Sequence, residues 1–179
     1  MNHYFHVDRA GRLSDGLEVR LSSHADVDPP FLQAHLHSQF PKGVSVHGER
    51  YFASGAAASM NVEANLELIW EMSRRHVRPS APARAESMFA WERVDDAYWF
   101  RGQFGAPRHR IWEIECQKSG FRADPRWLTL AGSALATSHA AHSYWSGEPV
   151  DGYWPALSGA GLRWEILVPM PVTVVRCIE

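Results

Sequence analysis

The stretch that most constrains this chain is its last one. Residues 162–178 hold two apolar, β-branched runs, Ile166-Leu167-Val168 and Val172-Thr173-Val174-Val175, separated by Pro169-Met170-Pro171. β-Branched side chains fit a pleated, half-buried surface, and proline cannot donate to a strand ladder. The pattern therefore predicts two strand segments joined by a kink or bulge. Glu165 opens the first run. A carboxylate at the mouth of an apolar strand is either a solvated strand end or a placed chemical group. Which it is depends on the partners the rest of the chain supplies.

At 179 residues the chain is long enough for one domain with a proper core, without staples. Its formal charge of −2 gives no bulk attraction to nucleic acid or to an anionic membrane. Basic residues are dense only locally, at Arg74-Arg75, Arg84 and Arg108-His109-Arg110. Cys116 and Cys177 stand in no metal or redox spacing, so free thiols in a reducing compartment are expected. No apolar run reaches membrane-spanning length and residues 1–6 lack a signal-peptide pattern. These features predict a cytoplasmic protein, with export by a route that needs no cleaved signal also open.

Taken in order, residues 3–9 alternate as a first strand, with Tyr4, His6 and Asp8 on one face. A turn then leads to a short extended piece over 17–21, and Pro29-Pro30 excludes regular structure before a brief helix over 31–40. Residues 43–60, rich in Gly, Ser and Ala, read as irregular. The clearest helix covers 61–76, with Leu66, Ile69, Trp70 and Ser73 on one face and Glu63, Glu67, Glu71, Arg74 and Arg75 mostly on the other. Its acidic residues come first and its basic ones last, as the helix dipole prefers. A strand over 86–92, a helix over 95–105 and a strictly alternating strand over 111–116 follow. Residues 123–145 read as helical in parts, and 147–161 as a Gly/Pro-bearing loop into the final strands. Strands and helices without a regular βαβ rhythm define an α+β protein.

Three constellations could carry chemistry. His35, His37 and His47, with Glu49 as an acidic fourth, offer metal-ligand chemistry, but the segment lacks the stiff scaffold and outer hydrogen bonds a zinc site needs. Surface histidines are the simpler reading. Covalent nucleophiles are poorly supported: no serine lies in a Gly-x-Ser-x-Gly elbow, and neither cysteine has a suitable neighbour. Phosphate-loop and Gly-x-Gly-x-x-Gly fingerprints are absent as well.

The third is spread along the chain: His6 on the first strand, Arg84 and Ser87 at a middle strand after the long helix, and Glu165 on the last. In this order and context, "YFHVDRAGRLSDGLEV", "RPSAPARAESMFAWERVDDAYWF", "IWEIE" and "WEILVPMPVTVVRCI" resemble the ADP-ribosyltransferase fold, particularly small bacterial members. The resemblance covers most of the chain, although each motif alone is weak. It implies two small, packed, mostly antiparallel sheets flanked by helices in a single domain over 1–179. It also implies NAD as substrate, transfer of ADP-ribose to an unknown protein, nucleic-acid or small-molecule acceptor, and a role as a toxin, effector or modifying enzyme.

Carried over residue by residue, the resemblance has His6 bind a ribose of NAD, Ser87 hold the nicotinamide, and Glu165 stabilise the oxocarbenium-like transition state. Arg84 is grouped with these as cofactor-binding, and Phe89 or Trp91 would stack. One fixed carboxylate suits that reaction, because cleaving the nicotinamide–ribose bond builds positive charge on the sugar. There are departures. Val7-Asp8 follows the histidine where better-known relatives have Gly-Ser or Gly-Thr, and no tyrosine occupies the middle strand. A rival placement puts Tyr51, in Gly48-Glu-Arg-Tyr-Phe-Ala53, in the stacking role, and ranks second to Ser87. Arg163, two residues before Glu165, argues against the arginine-modifying Glu-x-Glu subtype. The competing expectations are a non-catalytic binding module on the same fold and a small metal-dependent enzyme.

Overall fold

A computed structural model describes residues 1–23, 27–53, 62–130, 132–150 and 161–179. Its strands are β1 (Asn2–Asp8), β2 (Glu18–Val19), β3 (Ser87–Ala90), β4 (Arg110–Cys116), β5 (Phe121–Ala123), β6 (Glu165–Pro169) and β7 (Val172–Cys177). Its α-helices are α1 (Pro30–Gln39), α2 (Val46–Gly48), α3 (Val62–Val77), α4 (Val94–Phe104) and α5 (Ala134–Ser146). The strands form two antiparallel sheets, in the orders β1-β4-β7-β2 and β3-β6-β5. The class is α+β.

The break at 169–171 does more than bend a strand. β6 belongs to the three-stranded sheet and β7 to the four-stranded one, so here the chain passes from one sheet to the other rather than continuing in the same one. The two sheets share a core of Tyr4, Met88, Ala90, Trp112, Ile114, Ile166, Val168, Val172 and Val174. Period-two alternation turns Leu167, and with it Glu165, to the opposite face of β6. There Leu167 packs with Trp70 of α3, Tyr144 and Trp145 of α5, and Phe89. α4 covers the other sheet through Val7, Trp91, Ala97 and Ile111.

Several local expectations are corrected. The extended piece at 17–21 shrinks to Glu18–Val19. The irregular reading of 43–60 fails at its start, where α2 runs into one wide helical turn, Glu49–Ala53; residues 54–60 lie outside the described residues, as do 151–160 of the expected loop. Residues 123–145 are helical in parts as expected, with one turn at Pro125–Trp127 and then α5, which runs to Ser146.

The sharpest correction is on α3. Glu67 and Glu71 are buried, while Leu68 and Met72 face outward. The carboxylates turn inward because each meets a guanidinium there: Glu71 accepts from Arg74 and Arg75, and Glu67 from Arg84. Glu67, Glu71 and the partly buried Arg74 turn this part of the polar stripe into an internal ion-pairing face, while Glu63 and Arg75 stay exposed.

The α2 turn is clamped in place. Ser45 Oγ accepts from the Gly48 N–H, and the Ser45 N–H donates to the Ala85 carbonyl at 2.7 Å. A Cβ on Gly48 would stand 2.4 Å from that carbonyl oxygen and 2.8 Å from Val44 Cβ. Gly48→Ala is therefore expected to cost about 2 kcal/mol by overpacking, read as a lower urea midpoint at unchanged slope.

Candidate functional site

β1 and β3 meet at a seam between the two sheets. Phe5 and Trp91 exchange backbone hydrogen bonds of 2.8 and 2.9 Å as an isolated antiparallel pair. Bonded pairs alternate in such a ladder, so Val7 with Phe89 would come next. The imidazole of His6 stands in instead, its Nδ1 lying 2.7 Å from the Phe89 carbonyl oxygen. A carbonyl only accepts, so Nδ1 carries the proton and Nε2 keeps its lone pair. Burial pushes the His6 pKa down, more strongly than the Phe89 hydrogen bond and Asp8 raise it.

His6→Ala leaves the Phe89 carbonyl without this donor, at an expected loss of about 1–3 kcal/mol. The gap to the unsubstituted protein should narrow in acid. The unfolded chain takes up a proton near 6.5 and the folded one only below that, so the stability His6 contributes is present above 6.5 and fades as pH falls. Urea titrations at pH 7.5 and pH 5.5 check both statements.

Behind Phe89 lies a buried charge cluster that begins at Arg84, on the turn Arg84–Glu86 leading into β3. Its Nε reaches both Glu67 oxygens at 3.1 and 2.9 Å and its Nη2 reaches Oε1 at 3.0 Å. Its Nη1 donates to Tyr144 Oη at 2.6 Å and to Glu165 Oε1 at 2.8 Å. The Tyr144 hydroxyl in turn donates to Glu165 Oε1 at 2.8 Å. One guanidinium thus binds two carboxylates contributed by α3 and β6, and a tyrosine from α5 closes the ring.

Burial alone would raise the Glu67 carboxyl, but Arg84, and after it His47, hold it down at about 2. Burial would likewise lower the Arg84 pKa; Glu67, Tyr144 and Glu165 more than offset this and keep it charged. The Tyr144 phenol is pushed well up by burial and by Glu165, so it remains a donor.

An aromatic wall stands in front of the cluster. The Arg84 guanidinium lies 4.6 Å from the Phe89 ring centre, the Phe89 ring 4.5 Å from that of His47, and the His47 ring 4.6 Å from that of Tyr51. Tyr51 donates to Glu63 at 2.8 Å. Nε2 of His47 is 2.9 Å from Glu67 Oε1, poorly aligned for a hydrogen bond. His47, Tyr51 and Phe89 are half-buried in front of a buried floor of Arg84, Glu67, Tyr144 and Glu165, and the half-buried His6 joins them at the Phe89 carbonyl.

Four of the residues singled out from sequence, Tyr51, Arg84, Phe89 and Glu165, lie on this wall and floor, and His6 meets it at the Phe89 carbonyl. Ser87 does not. It pairs with Pro169, four residues along β6 from Glu165, or about 13 Å of strand, and its buried hydroxyl donates to the Ala83 carbonyl at 2.7 Å. Arg84 reaches the site from behind, as the group that holds Glu165. The proposed histidine trio separates: His35 and His37 sit two apart on α1, about 200° around a helix rather than on one face, while His47 turns to Glu67. Among the described residues no three His, Cys, Asp or Glu side chains are grouped to hold a metal.

Sequence reasoning missed Glu67, Tyr144 and His47 as parts of one site. For Glu67 a signal existed, since it precedes the inward Trp70 by three residues and so lies on the same helical face.

The fold is α+β with two small antiparallel sheets, and the site lies where the three-stranded sheet meets α3, α5 and the α2 segment. Residues 4–179 match the family described as "Protein of unknown function (DUF2441)", and the chain belongs to that family. No curated protein matches the sequence. No helix among the described residues is long and apolar enough to cross a membrane.

Proposed function

We propose that the chain is an ADP-ribosyltransferase-like protein that binds NAD at the seam and transfers ADP-ribose to an acceptor, releasing nicotinamide. One observation carries this reading. His6 of β1 and Glu165 of β6 are joined through a single residue, Phe89, whose carbonyl accepts the hydrogen bond from His6 Nδ1–H and whose ring lies under the guanidinium that holds Glu165. A neutral His6 with its lone pair on Nε2 suits a ribose hydroxyl. Phe89 and Tyr51 suit a flat ring, and a carboxylate fixed by two donors suits a sugar that becomes positive as its bond to nicotinamide breaks. Tyr51 takes precedence over Ser87 as the stacking residue, because it stands on the wall beside His47 while the Ser87 hydroxyl is spent on Ala83.

Calorimetric titration with NAD, followed by chromatography of released nicotinamide, tests the reading. The expected result is saturable binding and slow release with water as acceptor. A protein that neither binds nor consumes NAD with water or added acceptors would overturn it.

A non-catalytic binding module on the same fold is the second reading. It draws on Glu165 being buried in an ion pair and on the Phe89 ring being packed between His47 and Arg84. It predicts NAD or ligand binding with no nicotinamide released.

A further inference from the structure

The function proposed above leaves one arrangement unused. His47, on the aromatic wall, and Glu67, which shares Arg84 with Glu165 on the floor, form an imidazole–carboxylate pair. The pair is built rather than incidental. The turn carrying His47 is capped by Ser45 and pressed onto the Ala85 backbone, which only glycine at position 48 permits. Its ring is held between Tyr51 and Phe89. Glu67 is locked by three contacts from Arg84, which serves as its counter-charge and keeps it ionised down to about pH 2 against burial.

A fixed anion 2.9 Å from Nε2 favours the proton on that nitrogen and leaves the lone pair on Nδ1. The charged and titratable groups around the ring are Glu67 on α3, with Arg84 beyond it, and Tyr51, whose hydroxyl meets Glu63 and whose ring lies under Arg50.

We propose that His47, held between Tyr51 and Phe89 with the Glu67 carboxylate facing Nε2, is the general base that takes the proton from the attacking acceptor. The inference rests on the ADP-ribosyl-transfer reading and assigns the acceptor side of the same site. As the C1′–N bond breaks, its electron pair leaves with neutral nicotinamide. The acceptor oxygen forms the new bond to C1′, and its proton passes to His47 Nδ1. Glu165 stabilises the sugar and takes no proton. The acceptor class that follows is a neutral hydroxyl, including water, which needs a base; an anion does not.

Azide separates the two roles. His47→Gln should bind NAD like the parent protein and release nicotinamide into water roughly 100-fold more slowly, the usual worth of a positioned base. Adding azide, which attacks without losing a proton, should restore its rate and yield ADP-ribosyl azide with release of nicotinamide. Glu67→Gln should show a smaller loss with the same rescue. Glu165→Gln should be slow and unrescued. Melting curves confirm that each variant is folded. Hydrolysis by His47→Gln within about threefold of the parent, well short of the loss expected of a missing base, or a slow variant that azide does not rescue, would overturn the assignment while leaving NAD chemistry intact. A parent protein without NAD consumption would overturn both.

Discussion

Replacing Glu165 with glutamine is expected to slow nicotinamide release from NAD by roughly 100- to 1,000-fold, the range lost when one preorganised electrostatic group is removed from a transition state. The fold should survive. The glutamine carbonyl can still accept from Arg84 Nη1 and from the Tyr144 hydroxyl, the two donors that meet Oε1. Arg84 also keeps its charge partner in Glu67. Only the negative charge is lost, and it is lost where the ribose becomes positive. NAD affinity should change little, because ground-state NAD carries no such charge on the sugar and uniform binding is untouched. Single-turnover rates with calorimetric affinities check this. A variant that turns over NAD like the parent would remove Glu165 from the chemistry.

The second large effect concerns stability. Arg84→Met should cost about 3–5 kcal/mol, as expected when one member of a buried ion cluster is removed and the others stay buried. For a chain of this length that is a fall in Tm of roughly 10 °C. The reason is the two-to-one count: Glu67 and Glu165 are both shielded from solvent and both rely on this guanidinium. Adding Glu67→Met to the variant should recover part of the loss, since it removes one stranded carboxylate.

The effect should depend on pH in one direction. In the folded protein Glu67 stays ionised to about pH 2, against 4.5 for an ordinary carboxyl. Between those values the unfolded chain binds more protons, so the stability this group contributes, about 3 kcal/mol, is complete above 4.5 and disappears as pH falls towards 2. The difference between the parent and Arg84→Met should shrink over the same window. Denaturant titrations from pH 7 to pH 2.5 measure it, and a gap that stayed constant would show that the cluster is not held by charge.

Glu165 and Glu67 are both held by a residue whose importance is only half visible in the chain. Arg84 stands beside Ser87 in a stretch that announces a strand, and the sequence alone treats it as a ligand for a cofactor. In the folded protein it faces inward, because Glu67 and Glu165 meet it there and an unpaired buried guanidinium would be far costlier than a shared one. Ser87 goes the other way. Its hydroxyl has a backbone carbonyl four residues back within reach, and a short polar side chain takes such a local partner readily.

Strand and helix identity came from the chain itself. The alternation of 111–116, the apolar runs around the 169–171 break, and the face of α3 that carries Leu66 and Trp70 are consequences of side-chain period, which needs no knowledge of the partner. The ordered set His6, Arg84 with Ser87, and Glu165 came instead from the order of motifs that resembles a known fold, and of it Ser87 falls away because its hydroxyl is taken by Ala83. The tertiary structure alone decided that Glu67 turns inward and that Tyr144 closes the ring. It also decided that His47 leaves the histidine trio for Glu67, and that the two final strands part into different sheets. The first two of these outcomes depend on contacts between residues 17, 21, 60 and 81 positions apart. A buried charge is tolerated only where its counter-charge lies, and periodicity along one element says nothing about what stands across from it.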